Sequence, residues 1–275
     1  MAKRKLGLVL GGGGAKGSAH LGVLQELERL EVGFDAISGT SIGAVVGALV
    51  AAGYRAAEIG RAFQFVSARS LLGRDPTRHG LLGPQKLALI LADLLGDRLI
   101  EDLRIPFAAV TVDLVSGAEV ALDRGPLVEA LLASTAIPGL FPPRQINGQL
   151  LADGGLLANL PVAAVRRLGA ERVIAIDLVR DEAPFALQPA GRPTLLSRWL
   201  PLRQAALAER AILLMLQSMT EASLRDHPAD VLIAPAVNQA STGTFLPQSA
   251  GVDAGVAAAA RHHAELVALR EWRLT

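Results

Sequence analysis

A mainly parallel β-sheet with helices on both faces is the fold class this sequence predicts, and three observations predict it. Short apolar runs alternate with segments of helical length along the whole chain. The composition is 51% hydrophobic but only 4% aromatic, so the core must be mostly Ala, Val, Leu and Ile, as in stacked helix and sheet layers. No stretch has a linker's composition, and residues 1–275 read as one domain.

Taken in order, LGLVL (6–10) is a buried strand, and a glycine run leads from it into a helix over Ser18–Leu30. FDAIS (34–38) is the second strand, followed by an apolar helix after Ser41 that Gly53 terminates. Residues 54–104 read as helices, with loops at Gly73–Gly83 and near Gly96. The run 106–122 reads as a strand pair turning at Ser116-Gly117, and Pro126 and Pro138 bracket a further helix. QLLAD (149–153) is a strand, and Asn159-Leu160-Pro161 opens a helix to about Leu168. VIAID (173–177) and VLIAP (231–235) are the last strands, with a proline-bearing stretch and a helix over Arg203–Leu224 between them. One alanine-rich helix from Gly251 closes the chain.

Charge and cysteine content narrow the function classes. A formal net charge of +1 gives no reason to expect a nucleic-acid partner. The absence of cysteine excludes disulfides, thiolate catalysis and cysteine-ligated metals, and is compatible with a reducing compartment. Basic Lys3, Arg4 and Lys5 precede only five apolar residues, shorter than a signal peptide requires, and nothing approaches the ~20 apolar residues of a membrane span. The expectation is a soluble, cytoplasmic protein. No feature sets an oligomeric state.

Gly39-Thr40-Ser41-Ile42-Gly43 joins a buried strand to a buried helix. A serine between glycines at such a turn has the form of a nucleophile elbow, which presents the hydroxyl at the helix N-terminus. The run Gly11–Gly17 also follows a strand and opens a helix, a geometry that aims backbone N–H groups outward. A P-loop would need Lys followed by Ser or Thr, but the order here is Lys16-Gly17-Ser18. The dinucleotide fingerprint is met by Gly12, Gly14 and Gly17, yet Asp35 lies at the start of the second strand rather than its end. An oxyanion hole or a ligand-free turn remain, and parallel strands would bring this loop beside Ser41.

A serine nucleophile needs a base. Of the five histidines, His262 and His263 fall in the last helix, His79 and His227 in polar loops, and His20 reads as a packing residue. Aspartates at strand ends suit better. Asp153 follows a strand and precedes Gly154-Gly155, whereas a turn or cap role suffices for Asp113 and Asp177.

GGGGAKG (11–17), GTSIG (39–43), ASTAIP (133–138) and DGG (153–155) together resemble the patatin-like phospholipases. Asn159-Leu160-Pro161 and IPGLFPP (137–143) extend the likeness, which covers at least residues 6–161 and is strongest to short, single-domain bacterial members. The resemblance implies a three-layer α/β/α sandwich and a Ser41–Asp153 dyad in place of a triad. It implies an oxyanion hole from Gly12, Gly13 and Gly14, with Lys16 as the basic residue of that motif. Gly17, Gly39, Gly43, Gly154 and Gly155 support the motifs.

The implied activity is hydrolysis of lipid acyl esters, of phospholipase A or lysophospholipase type, without cofactor or metal. Partners are then the lipid substrate and a transient membrane-surface contact. A general carboxylesterase or thioesterase with the same dyad, or a binding protein with little turnover, are the alternatives. A free aspartate, with a pKa of ~3.9, is a weak base, so partial desolvation and direct contact with Ser41 are expected. Leu195, Leu196 and Trp199, flanked by Arg192, Arg198 and Arg203, offer a lid or interfacial contact within 184–202. A loop packed onto the domain explains them more simply.

Overall fold

The computed structural model describes residues 4–63, 83–180, 202–237 and 248–275. Strands β1 (Leu6–Leu10) and β2 (Ala36–Thr40) are buried along their full lengths, two residues later than expected in the case of β2. Helix α1 (Ser18–Arg29) connects them, and α2 (Ile42–Ala52) follows β2 directly. Covered on nearly every side, α2 is apolar all round, and it ends where Gly53 takes φ +101° in the left-handed region. Helices α3 (Ala56–Phe63) and α4 (Gln85–Leu95) come next.

β3 (Phe107–Asp113) and β4 (Glu119–Leu122) form the expected antiparallel pair, with Gly117 at φ +70° in the turn. Helix α5 (Leu127–Ser134) follows Pro126. A second hairpin, β5 (Arg144–Ile146) and β6 (Gln149–Asp153), was not anticipated. Its two-residue turn is Asn147-Gly148, both at positive φ (51° and 79°), the chemistry a tight hairpin demands. Helix α6 (Val162–Arg167), strand β7 (Arg172–Ile176), helix α7 (Leu202–Asp226) and strand β8 (Val231–Ile233) complete the alternation. The expected single last helix is two, α8 (Gln248–Arg261) and α9 (His263–Leu274). His262 leaves helical geometry between them, and its ring pairs with Glu265.

The sheet runs β5-β6-β3-β2-β1-β7-β8, with β4 also on β3. Its centre, β3-β2-β1-β7-β8, is parallel throughout. The β3 end is antiparallel: tight turns leave the hairpins β3–β4 and β5–β6 no crossover to reverse them, and β6 also runs against β3. Alternate residues face opposite layers. Leu6, Leu8 and Leu10 of β1 pack with α1, α2 and α8, while Val9 packs with α6 on the other face. The fold is thus the expected α/β/α arrangement of helices around a central sheet. α1 and α8 meet through small residues, so closely that a Cβ on Gly22 would lie 1.9 Å from the Val252 carbonyl oxygen.

Candidate active site

The elbow takes its shape from glycines on both sides of Ser41. A Cβ on Gly43 would fall 2.1 Å from the Leu10 carbonyl oxygen, and one on Gly39 would fall 2.5 Å from Gly43 backbone. α2 can therefore start hard against the ends of β1 and β2. Ser41 itself sits at φ +55°, ψ −125°, a conformation strained for any residue but glycine. Its hydroxyl does not cap α2; it lies close enough to the Asp153 carboxylate to favour that group's ionised form.

Asp153 ends β6, buried, and also accepts the Gly155 amide N–H at 2.8 Å. Gly154 must be glycine because a Cβ would meet the Val110 carbonyl oxygen at 2.4 Å. Burial pushes the Asp153 carboxyl up to about 6, against the pull of the hydrogen bonds from Ser41 and Gly155. A carboxylate poised there is a far better proton acceptor than a solvated one, while still ionised at neutral pH.

The glycine loop lies alongside, since a Cβ on Gly12 would come within 3.5 Å of the Ser41 Cβ. One expectation needs correction. The Gly12 amide is not available to an oxyanion, because it donates to the Asn159 carbonyl at 3.0 Å. The Gly13 and Gly14 amides have no hydrogen-bond partner among the described residues. Gly17 is packed against Ile42, the residue after Ser41, where any Cβ would clash at 2.3 Å. Lys16 is fully buried, and its charge acts on the Asp177 carboxylate rather than facing solvent.

Asn159, whose role the sequence did not reveal, links the two loops. Besides taking the Gly12 N–H on its carbonyl, it reaches the Gly12 carbonyl with Nδ2 at 3.4 Å. Its segment is anchored in turn by β2. Thr40 Oγ1 donates to the Ala158 carbonyl at 2.7 Å, and Ser38 Oγ to the Pro161 carbonyl at 2.8 Å. Ser134, part of the ASTAIP motif but given no role by the sequence, accepts the Ser41 amide N–H on its Oγ at 2.9 Å.

His20, the histidine beside the glycine loop, is turned away from this chemistry. His20 is buried beneath the glycine loop with Nε2 2.9 Å from the Gly11 carbonyl oxygen, which fixes Nε2 as the donor. Burial pushes its pKa down to about 4, so the ring is neutral at pH 7. Asp113 accepts from Val115, Ser116 and Leu150 and is held below the usual carboxylate range by those bonds. Asp177 accepts the Val179 and Arg180 amides. Both serve as turn residues, as expected. Asp35 is gripped by Arg273 at 2.6 and 2.9 Å and holds the Leu6 amide, a structural role.

Three exposed apolar residues lie close in the chain to the site's backbone. Leu156 and Leu157 follow the DGG turn and are 43% and 40% exposed, and Ile137, 40% exposed, follows Ala136, whose carbonyl accepts the Asp153 amide. The stretch 184–201 with Trp199, and His79, lie outside the described residues. Among those residues no group of His, Asp and Glu is arranged to hold a metal, and no helix is long and apolar enough to cross a membrane.

An α/β/α fold with a serine elbow beside a buried aspartate, and a glycine loop whose Gly13 and Gly14 amides have no partner among the described residues, defines a class of candidate hydrolases. Residues 8–166 match the sequence profile of the patatin-like phospholipases, and the chain belongs to that family. An uncharacterized NTE family protein of Mycobacterium tuberculosis is 37% identical over 276 residues, covering 94% of this chain and 46% of that protein. A second one from that organism is 41% identical over 199 residues, or 71% of this chain and 54% of the relative. The chain thus spans about half the length of these relatives. Lysophospholipase NTE1 of Meyerozyma guilliermondii is 33% identical over 73% of this chain and 15% of its own length. In three dimensions the fold resembles VipD from Legionella pneumophila, with a TM-score of 0.58 at 16% identity, over 97% of this chain and 67% of VipD.

Proposed function

We propose that this protein is a lipid acyl hydrolase that cleaves carboxylic esters with Ser41 as nucleophile and Asp153 as base. The observation that carries the reading is the strained Ser41 hydroxyl lying beside a buried carboxylate whose pKa is raised. Family membership and the lysophospholipase relative support a lipid ester as substrate, and the exposed Ile137 and Leu156, near Asp153 in the chain's path, suit an acyl chain.

Ser41 Oγ attacks the ester carbonyl carbon while its proton passes to Asp153. Negative charge then develops on the former carbonyl oxygen, where the Gly13 and Gly14 amides are free to donate. Collapse breaks the ester C–O bond, and the departing alcohol takes the proton from Asp153. Water, deprotonated by the same carboxylate, attacks the acyl-serine and releases fatty acid and Ser41. The buried Lys16 acts behind the loop, adding positive potential without touching the substrate.

Turnover of lysophosphatidylcholine and p-nitrophenyl butyrate by Ser41→Ala, Asp153→Asn and His20→Gln tests this directly. Both dyad variants should be inert and His20→Gln active. Turnover by Asp153→Asn at the wild-type rate would sink the assignment. A fluorophosphonate label lost in Ser41→Ala separates an enzyme from a binding protein of the same fold, and a panel of oxygen esters and thioesters separates lipase from general esterase.

A further inference from the structure

The segment that ends α5 touches both members of the dyad. Ser134, the last residue of α5, is fully buried. Its Oγ accepts the Ser41 amide N–H at 2.9 Å and donates its own proton to the Val110 carbonyl at 2.7 Å. Two residues on, the Ala136 carbonyl accepts the Asp153 amide N–H at 3.0 Å. Val110 is the β3 residue paired with Thr40, and Thr111 the one paired with Asp153. One short piece of chain therefore spans the backbones of nucleophile and base and ties the first of them to β3.

The Ser41 amide needs such a partner. β2 stops at Thr40, and the first hydrogen bond of α2 uses the Ser41 carbonyl, taken by the Val45 amide at 3.2 Å. The N–H thus belongs to neither the sheet ladder nor the helix, and a buried donor without an acceptor is costly. A residue at φ +55° also relaxes unless its surroundings hold it there. A hydroxyl is small enough for this buried site and can accept from Ser41 while donating to Val110.

We propose that Ser134 is a positioning residue for ester hydrolysis: by holding the Ser41 amide against Val110, it keeps the strained nucleophile within hydrogen-bonding distance of Asp153. The proposal rests on the Ser41–Asp153 reading above. Ser134 reaches the reaction through Ser41 backbone alone, so its loss affects the chemical step more than substrate binding. A displacement of ~1 Å at a reacting atom is enough to slow a reaction about 10²-fold. The Ser41 hydroxyl is also one of the groups that hold the Asp153 carboxyl down, so a nucleophile that drifts lets that carboxyl titrate at higher pH.

The test compares Ser134→Ala and Ser134→Cys in the full chain, with Ser41→Ala and Asp153→Asn as controls. Readouts are p-nitrophenyl butyrate kinetics across pH, fluorophosphonate labelling rate and thermal melting. Ser134→Ala should lose about 10- to 100-fold in kcat with KM within about threefold of wild type. Its labelling should slow by a similar factor, and the acid limb of its pH profile should move to higher pH. Ser134→Cys, nearly isosteric with a weaker donor and acceptor, should fall between, and it carries the test alone if the alanine variant does not fold. A folded variant with wild-type kcat and labelling rate overturns the proposal, as does a loss of kcat with the acid limb unmoved. Active Ser41→Ala or Asp153→Asn enzyme would remove the dyad reading and the proposal with it. Inert controls beside a wild-type-like Ser134→Ala would remove the proposal alone.

Discussion

Ser41 and Asp153 meet because the strands that carry them share one edge of β3. β4 pairs with Ala109 to Val112 of β3, so it occupies one edge of that strand. β2 pairs with residues up to Val110 and β6 with Thr111 to Asp113, and each shares partners with β4, so both lie on the opposite edge. Thr40 faces Val110, and Asp153 faces the next residue, Thr111. Two strands running toward each other therefore abut, and the elbow serine and the terminal aspartate stand at the junction. On the proposed dyad reading, a histidine relay has no gap to span.

Activity should follow the ionisation of Asp153. Its carboxyl titrates at about 6, so kcat/KM is expected to fall below pH 6, about tenfold per unit, and to plateau above it. A pH–rate profile measured on a soluble short-chain ester checks this, and an acid limb near 4 would contradict it.

The same buried carboxylate makes the fold less stable when ionised. Its folded pKa of about 6 lies above the unfolded value of 3.8, so the native state binds the proton more tightly between those pH values. Stability therefore falls as pH rises from 3.8 to 6, and the deficit is constant above. Asp153→Asn, which keeps an acceptor for Ser41 and Gly155, should be more stable than wild type at pH 7 by up to about 3 kcal/mol. The difference should vanish near pH 4, as measured by urea unfolding at both pH values.

His20 has the opposite sign. Its pKa is depressed to about 4 in the fold, so the unfolded chain binds a proton more tightly between pH 4 and 6.5. The contribution is fully present above 6.5 and is lost as pH falls toward 4. In Asp153→Asn, where the compensating carboxylate is gone, unfolding free energy should drop over that window, and His20→Gln in that background should flatten the drop.

Close approach at the elbow leaves no room for a methyl group at residue 43. Gly43→Ala places a Cβ against two backbone carbonyls, of Leu10 and Gly11, neither of which can rotate away. A loss of about 3 kcal/mol or more is expected, read as a lowered denaturation midpoint.

The exposed apolar residues Ile137 and Leu156 should matter in proportion to acyl length. Replacing Ile137 and Leu156 together by serine is expected to raise KM for long-chain esters about tenfold while leaving butyrate esters within about twofold. Equal effects on both would remove these side chains from the acyl path.

Much of this site is legible along the chain because its parts are local. A serine flanked by Gly39 and Gly43 between a strand and a helix announces an elbow, and Asp153 before two glycines announces a tight turn after a strand. Such signals depend on backbone conformations and periodicities within a few residues. The β5–β6 hairpin was local too, its Asn147-Gly148 turn being the signal passed over. The break at His262 rests on a subtler competition between helix continuation and a side chain three residues on.

The sequence by itself determined the alternating elements, the elbow, the glycine loop and the family these define. Tertiary structure decided which of their atoms are available. Gly12, Gly13 and Gly14 are identical in sequence terms, yet only the first donates to Asn159, 147 positions away. Ser134 looks like any serine until it is seen to hold an amide 93 residues earlier in the chain. Asp153 acquires its raised pKa from burial, and its place beside Ser41 from the register of two strands on β3. Hydrogen bonds and desolvation between distant segments exist only once the sheet has closed, because they depend on distance in space rather than along the chain.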